Sequence, residues 1–176
     1  LTSSMRFPGQ LNTDMNEIST NLVPFPNLHF LCSSLAPLDP QLGPVFGAGA
    51  NSSRGASNTK VPRQQAVRQL FVDAFSPSHQ LVRVDQRQGT YLASALLLRG
   101  DLSISDVNAC MTKLQPSLKT IHWNSEGFKV GLCSASSLEH PHAVLNLTNN
   151  TCIAETFDTM LNRFSRLYSR KAMVHH

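Results

Sequence analysis

The chain has 176 residues, of which 41% are hydrophobic and 15% charged, and its formal net charge is +4. This balance is typical of a globular protein with one domain, or one domain and an appendage, and it excludes disordered and fibrous classes. The lysines and arginines form no cluster dense enough to indicate nucleic acid, and no apolar run approaches the roughly 20 residues that span a membrane. We therefore expect neither nucleic acid nor a membrane as a partner.

The ends of the chain indicate a piece of a longer protein. The sequence begins without an initiator methionine or a signal-peptide pattern, and it stops abruptly at His175 and His176. We expect a fragment on these grounds.

The first predicted element is a short amphipathic helix over residues 11–22. Its apolar positions fall at steps of four, three and four residues, which is the spacing of one helix face. These positions are Leu11, Met15, Ile18 and Leu22. The two prolines that follow cannot continue a helix, because proline lacks the backbone N–H and restricts the residue before it.

The rest of the chain predicts alternating strands and helices. Apolar runs bounded by turn residues predict strands at 27–35, 91–98, 118–123, 127–133 and 143–149. Helical spacing predicts helices at 63–75, after Ser103 up to Pro116, and from about Thr151 to the end. Residues 36–62 are rich in Pro, Gly, Ser and Asn and predict a long flexible loop. The order predicts a two-layer α/β fold with the helices on one face of a mixed sheet, followed by a long helix.

The four cysteines, Cys32, Cys110, Cys133 and Cys152, form no CxxC pair. We expect reduced, mostly buried thiols rather than a structural zinc site. A metal site built from His140 and His142 with Cys133 or Cys152 is the alternative, but it lacks a fourth well-spaced ligand. We predict no metal.

Three asparagines match the N-glycosylation pattern: Asn51, Asn146 and Asn149. The pattern is short and arises often by chance, and no signal peptide precedes it, so we do not expect glycosylation. The chain also lacks a P-loop, a GxGxxG motif and a GxSxG elbow. The chain alone therefore has no visible nucleotide site and no motif for nucleophilic catalysis.

Asp14 and Glu17 are the acidic pair that carries the first functional hypothesis. At i and i+3 they share a face of the predicted helix, opposite its apolar stripe. A solvated acidic face is the ordinary interpretation of such a pair. A carboxylate that activates water needs an electrophile, and nothing else in this chain supplies one.

Several motifs, taken together, resemble the tubulin family. The first similarity is to the stretch that joins the core helix of tubulins to their intermediate domain. The residues of this chain that resemble it are RFPGQLN, an aspartate, NLVPFP and LHF. The resemblance continues in order through YLASALLLRG, SISDVN, WNSEGFKVGLC, LTNNT and RLYSRKAMVHH, and it covers essentially the whole chain. Within the family, NEIS, CSSLAPL, HWNSEGFK and NNTC most resemble the epsilon branch.

The resemblance implies a place for the chain within a tubulin. Residues 1–6 would be the tail of the preceding core helix, and residues 7–150 the intermediate two-layer domain with its flexible loop at 39–62. Residues 151–176 would begin the C-terminal helical region. The GTP-binding domain would precede Leu1, and further helices would follow His176. The loop is expanded and low in complexity, which puts ordinary lateral assembly in doubt.

The resemblance also implies a function for the acidic pair. In tubulin polymers, GTP held by one subunit is hydrolysed when the next subunit docks and contributes an acid, and that position falls on Glu17, with Asp14 beside it. GTP and magnesium are implied for the intact protein, and none for this chain alone. The implied partners are other tubulin subunits, which would contact the helix at 11–22, and centriolar or basal-body proteins. The implied location is the cytoplasm and cytoskeleton, at the centrosome, centriole or basal body.

Two alternatives stay open at this point. The protein could bind tubulin or centriolar partners as a purely structural module, with Asp14 and Glu17 as ordinary interface charges. It could also be an unrelated small α/β enzyme, although no nucleophile, metal or cofactor motif supports that reading.

Overall fold

The computed structural model of the protein describes residues 1–9, 11–38, 63–124, 127–137, 140–172 and 174. The helices are α1 (Ser3–Arg6), α2 (Met15–Leu22), α3 (Arg63–Ala74), α4 (Ile104–Leu114) and α5 (Ile153–Ser169). The strands are β1 (Leu31–Ala36), β2 (Tyr91–Arg99), β3 (Phe128–Cys133) and β4 (Ala143–Asn150). Short 3-10 turns lie at Pro77–His79 and Gln115–Ser117. The predicted flexible loop at 39–62 lies outside the described residues.

The four strands form one mixed sheet in the order β1-β4-β2-β3. Strand β4 is antiparallel to both β1 and β2, whereas β2 and β3 are parallel. The parallel pair needs a crossover, and α4 provides it. The predicted α/β class, with a mixed sheet followed by a long helix, is confirmed.

Strand β2 is buried along almost its whole length, because helices cover both of its faces. Leu96 and Leu98 belong to the core that α3 and α4 cover, whereas Ala95 and Leu97 belong to a second core beneath α2. A strand covered on both faces loses the polar–apolar alternation and becomes a continuous apolar run. Helices α3 and α4 form the predicted helical layer, but α2 lies on the opposite face, so the prediction that the helices share one face is wrong for α2.

Helix α3 packs its apolar face into the main core. Helical spacing in the sequence predicts an inner face formed by Val67, Leu70 and Phe71, with Phe75 just after the helix, and all four are buried. They cluster with Val107 and Cys110 of α4 and with Val144 of β4. Helical periodicity alone was sufficient to find this surface.

The segment at 118–123 does not form the predicted strand. It makes a single parallel bridge, between Thr120 and Tyr91, and then turns at His122 and Trp123. Its apolar run follows a 3-10 turn, and the edge position beside β2 is taken by β3. The predicted strand at 27–35 also begins later than expected, at Leu31.

The buried asparagines of β4 are incompatible with glycosylation of this fold. Asn146 and Asn149 are 0% and 3% exposed, and their side chains form hydrogen bonds within the protein. Ser94 Oγ donates to Asn146 Oδ1 at 2.9 Å. The remaining match, Asn51, lies outside the described residues.

All four cysteines are buried and free. Burial raises the pKa of the thiols of Cys32 and Cys110, and it raises the pKa of Cys152 to about 12. These groups are therefore protonated at neutral pH and weak nucleophiles. The prediction of buried thiols is confirmed.

Helix α5 carries its predicted apolar stripe on the surface. The exposed large side chains of the stripe are Phe157, Met160, Leu161, Phe164, Leu167 and Tyr168. Phe157 packs against Phe30, with ring centroids 4.7 Å apart, and Phe164 stacks on Tyr168. An exposed apolar stripe of this length marks a contact surface. None of the described helices is long and apolar enough to cross a membrane.

Candidate functional site

Asp14 lies at the N-cap of α2 rather than inside a helix. Its backbone is extended (ψ 155°), and its Oδ1 accepts a hydrogen bond from Met15 N at 2.6 Å. The helix therefore begins four residues later than the apolar spacing from Leu11 predicts. An N-cap aspartate satisfies backbone N–H groups that the first helical turn leaves unpaired.

Glu17 occupies the third position of α2, in the first turn of the helix that Asp14 caps. A negative charge in the first turn also interacts favourably with the helix dipole. Asp14 as the cap and Glu17 as a first-turn charge thus both favour a helix that begins at Met15, a role that was not predicted from the sequence.

Lys129 of β3 forms an ion pair with Glu17, its Nζ donating to Oε1. The two side chains are 37% and 39% exposed, so the pair lies at the surface. The hydrogen bond from Lys129, more than its charge alone, lowers the pKa of Glu17. The contribution of this pair to stability is therefore present above the ordinary glutamate pKa and is lost as pH falls through the lowered value.

The contact between Glu17 and Lys129 was not predicted from the sequence. Lys129 is 112 residues away along the sequence, and only the sheet register brings the two together. The parallel pairing places Lys129 beside Ala95 and Gly131 beside Leu97. Because Ala95 and Leu97 form the core beneath α2, Lys129 and Gly131 lie on the same face of the sheet as α2.

Strand β3 also holds the segment that leads into α2. Leu11 and Leu132 exchange backbone hydrogen bonds, at 2.8 Å and 3.4 Å. The buried Thr13 packs so closely on Gly131 that a Cβ there would lie 2.6 Å from Thr13 Oγ1. Glycine at this position allows the start of α2 to reach the sheet.

Asn149 of β4 holds the other end of α2. Its Nδ2 donates to the carbonyl oxygen of Leu22 at 2.8 Å and to that of Leu28 at 2.6 Å. One carbonyl ends the helix and the other lies in the turn that leads to β1. The helix carrying Glu17 is thus held at its start by β3 and at its end by Asn149 of β4.

The other candidate residues are not brought into a reactive arrangement. Within the described part of the chain, no group of three His, Cys, Asp or Glu side chains is placed to hold a metal ion. The alternative metal site at His140 and His142 therefore has no support there. Arg163 and Arg166 of α5 are exposed.

The model of the tubulin C-terminal domain matches residues 26–162. The chain belongs to the tubulin family. This membership removes the alternative of an unrelated small α/β enzyme, and it agrees with the order of strands and helices described above.

Individual tubulins match the chain over its entire length. The tubulin epsilon chains of Mus musculus and Homo sapiens are each 46% identical to it over 176 residues, which are 34% of those proteins. A tubulin alpha chain of Pneumocystis carinii is 35% identical over 185 aligned positions, covering 99% of this chain and 80% of that protein. The chain thus spans about a third of the length of the epsilon relatives, and the predicted similarity to the epsilon branch is confirmed.

Proposed function

We propose that this chain is the part of an epsilon-like tubulin that presents α2 to a neighbouring subunit along a polymer. In this proposal residues 7–150 are the intermediate domain, and residues 151–176 begin the C-terminal helical region. The intact protein binds GTP and magnesium through another part of its chain. It acts in the cytoskeleton, at centrioles or basal bodies, with tubulin subunits and centriolar proteins as partners.

The proposed role of Glu17 is to complete the hydrolytic site of the neighbouring subunit. Its carboxylate would orient a water molecule towards the γ-phosphorus of GTP bound by the neighbour and accept a proton from that water. The new P–O bond forms as the bond to the β-phosphate oxygen breaks, which yields GDP and inorganic phosphate. General-base assistance of this kind contributes about 10²–10⁴-fold to a rate.

The placement of Glu17 is the observation that supports this role. The carboxylate lies at the surface on the first turn of a helix held at both ends, so a docking partner can reach it without unfolding α2. A surface glutamate is ionised at neutral pH, as water orientation requires, and the direction of its pKa shift, downward, does not change this. A rigid support is what catalytic geometry needs, because small displacements of a catalytic group lower the rate strongly.

The alternative proposal is a purely structural module that binds tubulin or centriolar proteins without affecting hydrolysis. The observation that favours it is that both acids already have a local role, because Asp14 caps α2 and Glu17 pairs with Lys129 from the first turn. Under this proposal the ion pair with Lys129 is an ordinary interface feature.

A Glu17→Ala substitution in the full-length protein separates the two proposals. If Glu17 acts on the neighbour's GTP, we expect phosphate release per unit of assembled polymer to fall about 100-fold while GTP binding is unchanged. Asp158→Ala, an exposed acid on α5, is the control and should behave as wild type. Weakened partner binding with unchanged phosphate release would support the structural alternative and contradict the role in hydrolysis.

A further inference from the structure

We propose that Lys129 is a positioning residue for Glu17, so that the ion pair prepares the carboxylate for the neighbouring subunit before docking. The proposal rests on the function proposed above for Glu17. It adds a residue from β3 that neither the acidic pair nor the resemblance to tubulins identifies.

The position of Lys129 follows from the sheet. Strand β3 runs parallel to β2, and its residues Lys129 and Gly131 face α2. At Gly131 the missing side chain lets Thr13 approach, whereas at Lys129 a long side chain reaches the first turn of the helix. The same strand therefore sets both the height of α2 above the sheet and the direction of the Glu17 carboxylate.

The ion pair between Lys129 and Glu17 contributes little to the stability of the fold. Both side chains are more than one-third exposed, and exposed pairs of this type contribute little to folding, because water screens the charges and the long side chains lose conformational entropy. The start of α2 is already held by the backbone bridge between Leu11 and Leu132 and by the Asp14 cap. What the backbone contacts leave undetermined is the side-chain torsion angles of Glu17, and the ion pair restricts those.

The ion pair also opposes the effect of docking on ionisation. A partner that covers Glu17 removes water from it, and desolvation raises the pKa of a carboxylate. Lys129 acts in the opposite direction, through its hydrogen bond and its charge. The groups facing Glu17 in the described part of the chain are Lys129 from β3 and the capping Asp14 of its own helix, while β2 presents Ala95 and Leu97. Lys129 is the cation among them.

The test compares Lys129→Met with Lys129→Arg in the full-length protein. Methionine keeps an unbranched side chain without the charge, whereas arginine keeps both the charge and a donor. We expect Lys129→Met to lower phosphate release per assembled polymer about tenfold, with GTP binding unchanged. We also expect the acidic limb of its pH–rate profile to move to higher pH, and Lys129→Arg to restore most of the rate. Lys113→Ala, on the opposite face of the sheet, is the control.

A double variant, with both Glu17→Ala and Lys129→Met, tests whether Lys129 acts through Glu17. In a Glu17→Ala background, Lys129→Met should have no further effect on phosphate release. An equal tenfold loss in that background, or a wild-type rate and pH profile for Lys129→Met, would overturn the inference. If Lys129→Met does not fold, Lys129→Gln replaces it, with the same expected result.

The same variants separate failure of this inference from failure of the proposed function. If Glu17→Ala hydrolyses GTP at the wild-type rate, the proposed function itself fails. If Glu17→Ala is slow and Lys129→Met is not, only the positioning role of Lys129 fails.

Discussion

A Phe71→Ala substitution is expected to lower the free energy of unfolding of the domain by about 3–5 kcal/mol. Phe71 lies in the second half of α3, is fully buried, and belongs to the core shared by α3, α4 and the sheet. Truncation removes most of a large apolar side chain from that core. The loss combines the transfer free energy of the ring with a cavity that its neighbours fill only in part.

Hydrogen exchange of the β2 amides in the full-length protein measures this effect. The protection of the central strand should fall by the stated free energy. Val72→Ala is a matched control, because the next residue on the same helix is 51% exposed and its truncation should cost less than about 0.5 kcal/mol. Equal protection in both variants would contradict the assignment of Phe71 to the core.

The second large effect is expected at Asn149, which holds the far end of α2. Asn149→Ala removes the donor to the carbonyl oxygens of Leu22 and Leu28 and leaves both acceptors unpaired in a largely buried site. Each unpaired buried acceptor costs about 1–3 kcal/mol, so we expect a loss of roughly 2–4 kcal/mol. The loss should be concentrated in α2 and the turn after it, because the other strands do not depend on these bonds.

Exchange of the α2 amides, compared with those of α3, measures the local effect. We expect α2 to lose protection in Asn149→Ala while α3 changes much less. Asn108→Ala, an exposed asparagine on α4, should leave both helices unchanged. Loss of protection spread evenly over α2 and α3 would show that Asn149 supports the whole domain rather than this helix.

Elements whose own residues carry a clear apolar pattern were predicted correctly from the sequence. Helix α3 was predicted from the helical spacing of its apolar residues, and strand β2 from its continuous apolar run. The strand at 118–123 was predicted wrongly, because a short apolar run does not reveal whether a place at the sheet edge is free. The position of α2 on the second face was missed, although the unbroken apolar run of β2 signals burial on both faces.

The candidate site was predictable in its residue types but not in its contacts. The sequence identified Asp14 and Glu17 as a pair, and the resemblance to tubulins assigned Glu17 a role, which stays a prediction. The start of α2 was placed too early because Leu11 fits the helical spacing while it bonds β3 instead. Lys129 and Asn149 could not be found from sequence, since their contacts with α2 depend on the register of strands more than 100 residues away.

The most direct test of the central proposal is whether Glu17 acts on the GTP of a neighbouring subunit. Full-length Glu17→Ala chains are loaded with GTP labelled in the γ-phosphate, freed of unbound nucleotide, and assembled with an excess of unlabelled wild-type chains. The proposal predicts that the label is released at the wild-type rate, because wild-type neighbours supply Glu17. Assembly with unlabelled Glu17→Ala chains should release it about 100-fold more slowly. Labelled GTP that persists among wild-type neighbours would contradict the proposal.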